Sequence, residues 1–226
     1  MSDGIKYFEE LISAAAIDGA KEFAESVRER GFNLYDVLHM DKYVIMKSLG
    51  CDERIADFVR LTAAITSRRI TDRFKHGRKY TKDEIRDYVA GLLFGDPVEV
   101  IYMLTFDAAG RLIGTEMVSE GTVNASGVVP RKLLDSACRV NAAGVVLAHN
   151  HPRGNANASL ADISFSYSLS RSFAAVGIEL YASYAVAGLI MNDCMRDPRY
   201  IHMTEMVTDD GFNAGASILG SKNSLK

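Results

Sequence analysis

Residues 148–162 read AHNHPRGNANASLAD, and their types and spacing suit a metal ion. His149 and His151 stand two apart, and a strand projects such a pair to one side, so both imidazoles can aim at one point. Pro152-Arg153-Gly154 turns the chain back, and Asp162 in the first turn of a following helix can add a carboxylate oxygen. Two nitrogens, one oxygen and an open fourth position suit a catalytic centre in which one Zn²⁺ keeps a bound water. Such water ionises near neutral pH. The same letters also fit a plainer role. Ser159-Leu-Ala-Asp162 makes a good helix start, with Ser159 as cap and Asp162 favoured by the helix dipole. Capping and metal binding do not exclude each other. H-x-H-P-x-G-x-x-x-x-S-x-x-D fixes six residues over fourteen positions. By chance a chain of this length would carry it roughly once in a million.

These residues need elements to hold them. Val145-Val-Leu-Ala148 is a short, wholly apolar run of the kind that fills a central strand. Val98 to Phe106 and Leu112 to Val118 read as two strands around an Asp107-Ala-Ala-Gly110 turn. Pro130 opens a helix carrying Leu133, Leu134, Ala137, Cys138 and Val140. A helix over about Leu160 to Ala175 follows the metal motif, then Gly177 and a strand through Val186. Mixed helices and strands after residue 80 make this part α/β or α+β.

Upstream the spacing is helical. Tyr7-Phe8, Leu11-Ile12 and Ala15-Ala16 recur in step, as do Phe23 with Val27, and Leu34, Val37 and Leu38. Ile55, Phe58, Val59, Ala63 and Ile65 form one more apolar stripe. Thr81-Lys-Asp-Glu84 is a capping box for a helix to Phe94, with Gly95 as its stop. The expected organisation is a helical domain over 1–70 and a basic linker and helix over 71–95. A metal-binding α/β domain follows over 96–206, then a loose tail over 207–226.

Composition narrows the classes. The net charge of −3 over 226 residues gives no global reason to expect nucleic acid. Locally, Arg68, Arg69, Arg73, Lys75, Arg78, Lys79 and Lys82 face one acid, Asp72. That stretch reads as a solvated linker, and it could touch nucleic acid weakly without reading sequence. Cys51, Cys138 and Cys194 are far apart and odd in number, which argues against a disulfide scaffold and fits a reducing cytoplasm. No apolar leader or membrane-length run is present, so no membrane partner is expected. His39, His76 and His202 attract no metal argument. The letters His149-Asn150-His151 spell HNH, but HNH nucleases spread those residues over a ββα unit. A zinc nucleobase deaminase needs H-x-E with P-C-x-x-C, which this chain lacks.

The motif resembles the zinc signature of JAMM/MPN+ metallopeptidases, and the wider chain resembles the bacterial RadC family, historically labelled DNA repair proteins. Glu116-Met-Val-Ser-Glu-Gly121-Thr122, Val129-Pro-Arg131, Asn141-Ala-Ala and Ala148-His-Asn-His-Pro152 carry the likeness, in that order, over about residues 95–188. The resemblance implies an MPN/JAB-type mixed sheet flanked by helices, preceded by a small helical domain like a degenerate helix-hairpin-helix. It implies that His149, His151 and Asp162 hold Zn²⁺. Relatives place a glutamate five residues before a Gly-Thr pair, which selects Glu116 over Glu120. Glu116 would take a proton from the attacking water and pass it to the leaving amine. Ser159 would steady the oxyanion. The implied activity is zinc-dependent hydrolysis of a peptide or isopeptide bond in a peptide or protein substrate. The alternative is a DNA-associated repair or recombination protein whose MPN domain serves as a scaffold. Two departures stand out. Ser183-Tyr184 replaces the usual Asp-His, and Arg153 replaces a small residue. In the helical part, Leu49-Gly50-Cys51-Asp52-Glu53 lacks the second glycine of a phosphate-binding turn and has two acids instead.

Overall fold

In a computed structural model, residues 3–120, 129–152, 155–188 and 190–209 are described. Two units divide them. One takes 1–73 with 91–98, the other 74–90 with 99 onward.

The first unit holds α1 (Asp3–Ala14), α2 (Ala20–Glu29), α3 (Leu34–Leu38), α4 (Lys42–Leu49) and α5 (Glu53–Thr71). Ile5, Phe8 and Ile12 share the buried side of α1, and Tyr7 and Leu11, one step out of phase, are exposed. On α5 the buried stripe is Ile55, Ala56, Val59 and Ala63. Ile65, expected in that stripe, is exposed instead, because two residues past Ala63 a helix has turned about 200°. Gly50 ends α4 at φ 66, and Asp52 caps α5 by accepting from Ile55 N at 2.9 Å. Lys42 bridges Glu53, so both acids of this turn are engaged within the unit. Arg68 and Arg69 form the last turn of α5, so the basic stretch begins inside a helix. Arg60 donates to the carbonyls of Leu38, Met40 and Gly95.

The second unit contains a five-stranded sheet in the order β2-β1-β3-β4-β5. Its strands are β1 (Val100–Phe106), β2 (Leu112–Glu120), β3 (Gly144–Asn150), β4 (Glu179–Ala187) and β5 (Ile190–Asp193). The β3/β4 pair is parallel and the rest are antiparallel, so the sheet is mixed. The capping box at Thr81 and Glu84 is made, and it opens α6 (Lys82–Leu92). Tyr88 of α6 meets Thr115 on one face of the sheet. Leu133 and Ala137 of α7 (Val129–Arg139), with Leu169 and Phe173 of α8 (Leu160–Ala175), pack on the other. There they meet Ile101, Met103, Val145 and Leu147. All seven residues of β3 are buried, as a central strand requires. β5 and α9 (Pro198–Asp209) had no clear sequence signal, and α9 continues past 207, where the tail was expected to begin. Residues 210–226 lie outside the described part. No described helix is long and apolar enough to cross a membrane.

Candidate metal centre

The parallel pair β3/β4 is joined through α8, so the end of β3 and the start of α8 meet outside the carboxyl ends of the strands. Two bonds fix this end. Asn150 Oδ1 accepts from Val100 N at 2.7 Å, and His151 N donates to Val186 O at 2.7 Å. Asn150 thus ties β3 to β1. His151 Nδ1 lies 2.8 Å from Asn155 O. A carbonyl only accepts, so Nδ1 carries a hydrogen, and it is in the neutral ring that Nε2 keeps its lone pair.

His149 Nε2 and His151 Nε2 are 3.0 Å apart. His149 Nε2 is 3.5 Å from Asp162 Oδ1, and His151 Nε2 is 3.5 Å from Asp162 Oδ2. Ligands of tetrahedral zinc are separated by about 3.3 Å, given metal–ligand lengths near 2.0–2.2 Å. The two imidazoles stand near that spacing, and Asp162 turns one carboxylate oxygen toward each of them. His149 and Asp162 are buried, which keeps the donors in place.

Asp162 serves the helix as well. Ser159 N and Ser159 Oγ both donate to its Oδ2, at 2.7 and 2.6 Å, and Asp162 N returns a bond to Ser159 Oγ. Capping and facing the imidazoles coexist in one carboxylate. Burial pushes its pKa up, but hydrogen bonds to His149, His151 and Ser159 outweigh that and hold it well below the usual carboxylate range. His151 moves the other way. Its bond to Asp162 raises its pKa, burial opposes, and the Asn155 carbonyl and the Glu99 charge add to the rise.

Glu99 was not among the expected residues. Its carboxylate and the two imidazoles bring ligand atoms within 4.8 Å of one another. Register explains this. Ile101 pairs with His149 in antiparallel β1/β3, so two residues further out Glu99 comes opposite His151. Glu116 is placed differently. It pairs with Met103, which pairs with Leu147, so it is two strands across and two residues back from His149. That displacement is roughly 10 Å across and 7 Å along the sheet. Glu116 is exposed. A bulge at Val118 separates it from Glu120, which pairs with Val100, out of phase with Met103. The two glutamates therefore do not share a register phase.

The Ser183-Tyr184 departure falls on both faces. Ser183, opposite Leu147, is buried and bonds Ser166 Oγ at 2.8 Å. Both serines line a cavity of about 10 Å³ behind His149 and Asp162, room for one water. Tyr184, opposite Ala148, is buried on the other face. Burial pushes its pKa up to about 12. Arg153 and Gly154 lie outside the described residues, as do Gly121 and Thr122.

A family model described as "RadC-like JAB domain" matches residues 79–189, which include every residue of this centre. A UPF0758 protein of Halorhodospira halophila is 31% identical over 170 residues, covering 74% of this chain and 75% of its own. The chain belongs to the RadC family. Other RadC relatives agree in extent. A UPF0758 protein of Azotobacter vinelandii is 31% identical over 153 residues, 66% of this chain and 67% of its own. One from Janthinobacterium is 32% identical over 136 residues, and the match spans 59% of this chain and 61% of that relative's length. In this RadC chain β5 and α9 lie beyond the family match.

Proposed function

We propose that this RadC chain is a zinc-dependent hydrolase of a peptide or isopeptide bond. One observation carries the reading: the His149 and His151 imidazoles meet with the Glu99 carboxylate beside them, and an Asp162 oxygen lies 3.5 Å from each imidazole. Zinc, when bound, supplies a Lewis acid that polarises a scissile carbonyl and acidifies a coordinated water. The protein's own groups do the rest. His149, His151 and Asp162 would hold the ion. Glu99, at the mouth of the β1/β3 pair, takes a proton from the attacking water and hands it to the leaving amine. Glu116 is the rival for that role, favoured by its spacing to Gly121. Ser159 has one hydroxyl hydrogen, which lies on Asp162 Oδ2. To steady a substrate oxyanion it must rotate off that carboxylate, so its first task is to orient Asp162.

The zinc-loaded full chain, incubated with libraries of linear and isopeptide-linked peptides, tests this by mass spectrometry. Glu99→Gln should lower cleavage about 10²- to 10⁴-fold, the usual contribution of a general base. Glu116→Gln should leave most of it. The reverse ranking would return the base to Glu116, and no cleavage by the unaltered chain would overturn the hydrolase reading.

A further inference from the structure

The loop 155–158 joins the second imidazole to the cap of α8, and it is held from outside the family match. Asn155 O accepts from His151 Nδ1 at 2.8 Å. Ala156 O accepts from Asn192 Nδ2 on β5 at 3.0 Å. Ala158 O accepts from Arg199 Nη2 on α9 at 2.9 Å. Ala156 and Ala158 are buried, at 2% and 6% exposure, so the loop is pressed inward at both points. Ala158 shares an apolar cluster with Ile163, Ala185, Cys194 and Tyr200.

The clamp is itself braced. Arg199 Nε and Nη2 form a fork on Asp197 Oδ1 and Oδ2, at 2.9 and 2.8 Å, so the half-exposed guanidinium that reaches Ala158 has a second partner on its own helix start. The next residue, Tyr200, donates to Ser170 Oγ at 2.9 Å, attaching α9 to the helix that carries Asp162.

We propose that Asn192 and Arg199 are positioning residues for the metal centre: they clamp the loop whose Asn155 carbonyl orients His151 and whose end, Ser159, caps Asp162. The inference rests on the metal-centre reading above. Without the clamp, the Asn155 carbonyl gains freedom, and the imidazole loses the partner that fixes its tautomer and ring angle. Groups that orient a ligand in this way carry a large part of metal affinity.

Zinc affinity of the purified full chain, measured by competition with a chromophoric chelator, tests the clamp apart from any catalysis. The double variant Asn192→Ala/Arg199→Met should bind zinc about tenfold more weakly than the unaltered chain. Tyr88→Phe, which loses its bond on the opposite face of the sheet, should bind as the unaltered chain does. A residue that merely supports the fold would lower the melting temperature of the metal-free protein and leave zinc affinity alone, and that result overturns the clamp. Should the double variant not fold, Asn192→Ala alone is read in the same way, since β5 is a short edge strand. An unaltered chain that binds no zinc is a different result, and it removes the metal centre itself.

Discussion

Asp162 closes the cap of α8 through Ser159 and faces both imidazoles, so helix stability and the proposed metal binding share one side chain. Substitution separates the two. Asp162→Asn keeps an oxygen for Ser159 N but loses the anionic ligand. Its urea-denaturation midpoint should stay near that of the unaltered chain, while zinc affinity falls more than about a hundredfold. Asp162→Ala should lose both the ligand and the acceptor of Ser159 N and Oγ, at a cost of about 1 kcal/mol, while Ser159 Oγ still accepts from the backbone N–H of residue 162. A second residue-scale prediction concerns His39, buried with Nδ1 on Tyr35 O and Nε2 accepting from Gly95 N, both at 2.9 Å. Burial lowers its pKa, the Tyr35 carbonyl opposes, Arg60 lowers it further and Asp36 opposes. A depressed folded pKa means that stability is fully present above the unfolded value, about 6.5, and is lost as pH falls through the folded one. Thermal melting from pH 7 to 5 should therefore show the first unit weakening, and His39→Gln should flatten that slope. Residue by residue, legibility followed distance along the chain. The meeting of His149, His151 and Asp162 could be read because strand period and helix start act within fourteen positions. Glu99 could not, because its place opposite His151 depends on the pairing of strands some fifty residues apart.

The elements were legible where periodicity was strong. The apolar run at 145–148 became β3, and Leu160 to Ala175 became α8 with the expected bounds. β5 has only four residues with alternating partial exposure, a signal too short to stand out. The bulge at Val118 was equally hidden, since an extra residue in one strand leaves no mark on the apolar pattern. One element-scale prediction concerns the stop after α6. Gly95 has φ +83, and a Cβ there would come within 2.8 Å of Ala63 Cβ. Its N–H serves His39 and its carbonyl serves Arg60. Gly95→Ala combines left-handed strain with overlap in a packed place, so equilibrium unfolding should show a loss of about 2 kcal/mol. A neutral substitution would mean that the turn relaxes more readily than its contacts imply.

At the scale of the whole molecule, the chain pairs a helical unit with a RadC-like JAB unit, and the proposed chemistry belongs to the second alone. Added zinc should therefore slow amide hydrogen exchange in the second unit around β3 and the start of α8, and leave α1 to α5 unchanged, because only the state that binds is stabilised. Protection spread evenly over both units would speak against a localised centre. The most direct test is metal stoichiometry by equilibrium dialysis of the full chain at neutral pH, read by plasma mass spectrometry. The account predicts about one zinc per chain, and close to none in His149→Ala/His151→Ala. Zinc absent from the unaltered chain, or equal in both proteins, would contradict it.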